Sequence, residues 1–296
     1  MDAQAEWPIL VGVDGSDTAL DAARWAAGEA GRRGLRLRLL AVTAWTVYQP
    51  APEMLGPDTA REVAPRFAAE HLARARTEAA RTLPDDRIDQ DVHSGYPAEV
   101  LREESARAAL LVVGNRGRGG FTGLLAGSVS TTLAATSACP VVIHRGSATP
   151  DGPVVVGVPR SADGDGALGF AFEEARLRGA DLVAVHAWSD AFFDPDLAAL
   201  VDRAAIELRE AAALADALAS WQEKYPEVTV LPRLAADPPA AALVRESDGA
   251  QLVVVGSRGR GAVAGLLLGS VGRATVHHAH CPVAIVRPAG EPPAEV

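Results

Sequence analysis

The chain has 296 residues, 48% of them hydrophobic and 22% charged, and at ~150 residues per domain that length predicts about two domains, each able to bury its own core. The net charge of −10 excludes a general binder of nucleic acid or anionic membranes, and neither half is a basic module, with 16 basic against 18 acidic residues over 1–150 and 12 against 20 over 151–296. No apolar run approaches the ~20 residues that cross a bilayer and no basic-then-apolar leader follows Met1, so a soluble cytoplasmic protein is expected.

In chain order, the apolar run Ile9–Val13 predicts a strand and the Ala-rich stretch Thr18–Arg32 a helix. A second strand is expected over Arg36–Thr43, then a Pro-rich loop and a long helix over roughly Ala60–Thr82. A third strand near Ile88–His93, a short helix over Ala98–Arg107, a fourth strand over Ala109–Val113, a helix after Ser128 and a fifth strand over Val141–His144 complete the unit. The strands are continuous Val, Ile and Leu runs that alternate with helices, the pattern of a parallel sheet covered on both faces.

The unit is then repeated. WPILVGVDGS at Trp7 parallels GPVVVGVPRS at Gly152, LLAVTAW at Leu39 parallels LVAVHAW at Leu182, and CPVVIHR at Cys139 parallels CPVAIVR at Cys281. One module has been duplicated, and the long helix of the second copy is expected over Leu197–Lys224. The segment Gly146–Gly152, rich in Gly, Ser, Thr and Pro, suits a short flexible join, which gives domains over 1–146 and 152–288.

Some chemistry is excluded by residue counts. Of 28 basic residues 27 are Arg, and the single lysine, Lys224, is far from any glycine-rich loop, so lysine-dependent catalysis is not expected. The two cysteines, Cys139 and Cys281, stand at matching places before a proline and read as small buried residues, with no disulfide framework. His277, His278 and His280 lack acidic or thiolate partners of known position, so a packed or solvated helix end is favoured over a metal site.

The most informative stretch is GNRGRGGFTGLLAGS, Gly114–Ser128, echoed by GSRGRGAVAGLLLGS, Gly256–Ser270. Each follows a predicted strand, where ligands of open α/β sheets sit beyond the carboxyl ends. Glycines at Gly114 and Gly117 let backbone N–H groups approach an anion, and Gly127 with Ser128 opens a helix whose first N–H groups are unpaired. Ser128 and Ser270 also suit plain N-caps. Neither stretch contains Asp, Glu or His, while each carries two arginines, Arg116 and Arg118 or Arg258 and Arg260. Taken singly those arginines are solvated loop charges, but their recurrence points to an anion, and the loop offers no general base. It is not a Walker loop, which needs a lysine, nor does G-x-G-x-x-G follow the first strand.

The spacing G-x2-G-x9-G-S in both copies, the strand-end V-D-G-S near the start and the terminal C-P-V-x-I-x-R together resemble the universal stress protein family, in its tandem-domain, ATP-binding branch, over nearly the whole chain. The resemblance implies two Rossmann-like domains, each a five-stranded parallel sheet of order 3-2-1-4-5 with helices on both faces. It also implies that Gly114, Gly117, Gly127 and Ser128, with Gly256, Gly259, Gly269 and Ser270 in the second copy, contact phosphates, and that Val129 and Val271 add helix-start backbone contacts. Asp14 matches the family's acidic residue near the ribose, where a carboxylate accepts hydrogen bonds from sugar hydroxyls; a turn aspartate is its plainer role. Ala44 and Ala187 match the small residue beside the adenine, with Trp45 and Trp188 following as core side chains. The second copy departs at Pro159, which replaces Asp14 and has neither carboxylate nor N–H.

The expected ligand is therefore ATP, accompanied by Mg2+ where a divalent ion is needed. An ATP-binding regulatory protein of the stress response is the leading expectation, with no dedicated catalytic residue and at most slow hydrolysis. A slow ATPase or nucleotide-processing enzyme, and a scaffold with ligand in the first domain alone, are the alternatives. The fifth strands are sheet edges, which the resemblance pairs antiparallel between domains, and a homo-oligomer is expected.

Overall fold

The structure is a computed structural model and describes residues 7–43, 57–117, 127–160, 165–188, 202–257 and 268–287. The chain divides into two compact units that meet between Arg145 and Gly146.

In the first unit, strand β1 (Ile9–Val13) leads to helix α1 (Asp17–Arg33), β2 (Leu37–Thr43), α2 (Pro57–Ala79), β3 (Ile88–Ser94), α3 (Pro97–Ser105), β4 (Leu110–Gly114), α4 (Ser128–Thr136) and β5 (Val141–His144). Parallel pairing joins β3 to β2, β2 to β1, β1 to β4 and β4 to β5, so the strand order is 3-2-1-4-5. The second unit repeats it with β6 (Val154–Gly157), α5 (Asp165–Arg178), β7 (Leu182–Ala187), α6 (Arg203–Lys224), β8 (Val230–Ala235), α7 (Pro239–Glu246), β9 (Leu252–Gly256), α8 (Ser270–His278) and β10 (Val283–Val286). Its order, β8-β7-β6-β9-β10, is the same topology.

The Val, Ile and Leu runs fold this way because both faces of each sheet are covered. Ile9, Val11, Leu111 and Val112 are fully excluded from solvent in unit one, as are Val155, Val253 and Val254 in unit two. Helix α1 lies close to its sheet through a stripe of buried alanines, Ala19, Ala22, Ala23, Ala26, Ala27 and Ala30, whose recurrence at i, i+3 and i+4 keeps them on one face. Ser16 caps α1 by accepting from the Ala19 N–H, and Gly34 ends it at φ +71°, a conformation suited to glycine. Each first helix also buries a carboxylate near its end: Glu29 lies 2.6 Å from Arg33, and Glu174 pairs with Arg178 at the matching place in α5. In unit two, Phe172, Trp221 and Tyr225 stack between α5 and α6.

Cys139 and Cys281 are buried and unbonded to one another, and burial pushes the Cys139 thiol up to about 12. The segment expected to be a flexible join is instead hydrogen-bonded onto unit two, through Ser147 N to His280 O at 3.0 Å and Thr149 N to Ala250 O at 3.2 Å. No described helix is long and apolar enough to cross a membrane.

Candidate functional site

In unit one the strand order reverses between β1 and β4, since β1 pairs with β2 on one side and β4 on the other. The loops leaving β1 and β4 therefore diverge and open a crevice at the carboxyl ends. Asp14 stands at the end of β1, exposed, and its Oδ1 accepts from Ser16 N at 3.0 Å and Ser16 Oγ at 2.6 Å. Ser16 Oγ has one proton and gives it to this short contact, so the hydroxyl fixes the carboxylate while its lone pair caps α1.

The loop after β4 is drawn against this turn. Thr18 Oγ1 donates to the Arg116 carbonyl at 2.5 Å, across 98 residues of sequence. A Cβ on Gly114 would fall 2.6 Å from Thr18 Oγ1 and 2.9 Å from the Thr18 carbonyl carbon, so β4 can end this close to α1 only as glycine. A Cβ on Gly117 would fall 2.6 Å from Asp14 Oδ2. The glycine loop and the carboxylate are thus in direct contact.

The far end of the loop is tied back by Gly127 N donating to Asn115 O at 2.8 Å. Gly127, and not Ser128, is the N-cap of α4, at φ −74° and ψ 155°, and no side chain caps the helix. Ser128 is the first helical residue and is exposed. The first helical backbone bond runs from Thr131 N to Gly127 O at 3.1 Å, which leaves the N–H groups of Ser128, Val129 and Ser130 outside the helical ladder, where the helix dipole favours an anion. Ala44 and Arg118 lie outside the described residues.

Unit two repeats the loop closure and changes the rest. Gly256 ends β9, Gly269 N donates to Ser257 O at 3.0 Å, and Gly269 caps α8 without side-chain help, with exposed Ser270 and then Val271 behind it. Arg258, Gly259 and Arg260 lie outside the described residues. Ala187 ends β7, half-buried, beside Trp188, whose ring has the Arg203 guanidinium 5.9 Å from its centroid. Where unit one has Asp14 and Gly15, unit two has Pro159 and Arg160, and Arg160 lies 2.6 Å from Glu210 Oε1 on α6.

That pairing belongs to a buried network which sequence reasoning did not find. Glu210 Oε2 is 3.0 Å from His186 Nε2, and His186 Nδ1 is 2.9 Å from the Val158 carbonyl. Both ring nitrogens of His186 are thus engaged by buried oxygen atoms. Burial pushes the Glu210 carboxyl up, but the His186 hydrogen bond and the charges of Arg160, His186 and Arg209 outweigh it and hold the group below the usual glutamate range. His186 stood in the sequence as one residue of a strand that reads as apolar, and its partner Glu210 on α6 was visible only in three dimensions.

A second side chain also went unnoticed. Gly15 adopts φ +81°, and a Cβ there would fall 2.6 Å from His71 Nε2, so the His71 ring of α2 lies against the backbone next to Asp14.

The same architecture and residue pattern recur in known proteins. The model of the universal stress protein family matches residues 8–145 and again 152–287. A universal stress protein of Mycobacterium tuberculosis is 40% identical over 291 residues, covering 94% of this chain and 96% of the relative. Another, from Mycolicibacterium smegmatis, is 37% identical over 289 residues, covering 96% and 98%. The crystal structure of a universal stress protein from Archaeoglobus fulgidus superposes with a TM-score of 0.69 at 21% identity, covering 97% of this chain and 98% of that one, which bears on the fold. Two family matches that between them take in most of the chain, and relatives aligned along nearly all of it, establish that this chain belongs to the universal stress protein family.

Proposed function

We propose that the protein is an ATP-binding regulatory protein whose first domain holds the nucleotide in the crevice between β1 and β4. The observation that carries this reading is the contact between Asp14 and Gly117, which sets an acceptor for sugar hydroxyls directly beside a glycine loop suited to phosphates. In this reading the backbone of Gly114, Gly117 and Gly127 and the helix start at Ser128 and Val129 receive the phosphates. Arg116 and Arg118 supply charge, Asp14 holds the ribose, and Ala44 borders the base. Mg2+ accompanies the phosphates as their counter-ion. The loop stretch carries no Asp, Glu or His, which favours binding and population shift over turnover.

Domain two is read as the weaker site. Its loop residues Gly256, Arg258, Gly259, Arg260, Gly269, Ser270 and Val271 offer the same anion chemistry, and Ala187 the same base border. Pro159 offers no side-chain acceptor, however, and Arg160 beside it is engaged with Glu210. Ligand in the first domain alone is the reading this observation favours.

The test is to denature the purified protein, identify any released nucleotide and count it per chain, then titrate the stripped protein and its Asp14→Asn variant with Mg-ATP. One adenine nucleotide per chain, bound weakly by Asp14→Asn, is expected. No nucleotide and no binding on titration overturns the proposal, and two per chain overturns the asymmetry.

A further inference from the structure

We infer that the Phe67 ring, backed by His71, is the base-stacking wall of the first domain, so that this domain selects ligands carrying an aromatic base. The inference rests on the nucleotide reading above and deepens it.

Helix α2 is the crossover from the end of β2 to the start of β3, so it runs antiparallel to the strands. His71 marks its level against the sheet, because its ring abuts Gly15, one residue past Asp14 and just beyond the end of β1. Phe67 is one turn earlier on the same face, about 6 Å further along the helix axis, and therefore stands beyond the strand ends. Its ring and that of His71 are stacked, with centroids 6.5 Å apart and planes 22° from parallel. Phe67 is nonetheless 53% exposed.

The helix does not need this ring for its own packing. Among the described side chains of α2, the buried ones are Ala68, Leu72, Ala75 and Ala79. The second copy makes the same point: at the offset that matches β3 to β8, buried Ala68 and Leu72 correspond to buried Glu210 and Leu214, while Phe67 corresponds to Arg209 and His71 to Ala213. The stacked pair of exposed Phe67 and half-buried His71 thus occurs where Asp14 occurs and is missing where Pro159 replaces it. A planar base laid on Phe67 would cover an apolar ring that water now meets, with its sugar toward Asp14 and its phosphates toward the glycine loop.

The test uses the full chain stripped of nucleotide, its Phe67→Ala and Phe67→Trp variants, and two probes, Mg-ATP and base-free tripolyphosphate. Phe67→Ala is expected to weaken Mg-ATP by about tenfold while leaving tripolyphosphate within about twofold. Phe67→Trp is expected to retain ATP affinity and to lose indole emission on adding ATP but not tripolyphosphate. A structural role for Phe67 would move both probes together and overturns the inference, as does Mg-ATP affinity unchanged in Phe67→Ala. Wild-type protein that binds neither probe overturns the nucleotide reading as well.

Discussion

Gly117→Ala is the substitution that most directly tests the site. The added Cβ would lie 2.6 Å from Asp14 Oδ2, about 1 Å inside the ~3.5 Å at which non-bonded heavy atoms rest. Something must move. If the carboxylate turns away, it gives up the bonds from Ser16 N at 3.0 Å and Ser16 Oγ at 2.6 Å. If the loop retreats, the spacing between the carboxylate and the N–H groups proposed to receive phosphate widens by a similar amount. Asp14 is exposed, so water replaces most of what folding loses, and Tm is expected to fall by less than about 4 °C. Binding is affected more, because one charge-assisted hydrogen bond to ligand is worth ~1.5–3 kcal/mol, or roughly 10- to 150-fold in Kd. Calorimetric titration of stripped protein with Mg-ATP, alongside thermal unfolding, reads both quantities. An affinity within about twofold of the parent at unchanged Tm would refute the claim that this contact defines the site.

Two further predictions concern stability. Glu174→Ala withdraws a buried counter-charge from Arg178, itself 2% exposed, and is expected to destabilise by about 3–5 kcal/mol in urea unfolding; a loss under about 1 kcal/mol would contradict it. Stability should also fall on acidification in two windows. Burial lowers the His144 pKa from 6.5, partly opposed by Asp21 and aided by Arg24, so the unfolded chain takes up that proton first and stability present above about pH 6.5 declines below it. Glu210, held below the usual glutamate range, adds a second loss as pH falls through its folded value. Urea midpoints at pH 7.5, 5.5 and 4 check the sequence, and His144→Gln should remove the first decline; midpoints rising from pH 7.5 to 5.5 would defeat it.

Chain-local information determined much of this protein. Fully covered parallel strands must be apolar along their whole length, so the strands are legible as runs, and Val141–His144 has the same bounds in sequence and structure. Duplication was legible because both copies keep those runs and the glycine loop in the same order. Helix ends were less so: Ser128 read as a cap, yet the capping position falls on Gly127 because its N–H closes the loop on Asn115 O. The backbone, not the preference of serine, decided that residue.

What only the tertiary structure decided is which distant groups meet. Asp14 and Gly117 touch because the strand order places β1 beside β4, and a sequence pattern gives no distances. Phe67 and His71 fall within a long predicted helix, and only the fold sets the His71 ring against Gly15 with Phe67 stacked on it. Nothing in the sequence pairs Glu210 with His186, since whether a charge is buried depends on what packs over it and which partner it finds. The sequence determined the frame, the repeated glycine loop and the exchange of Asp14 for Pro159; the fold decided that α2 brings His71 to Gly15 and α6 brings Glu210 to Arg160.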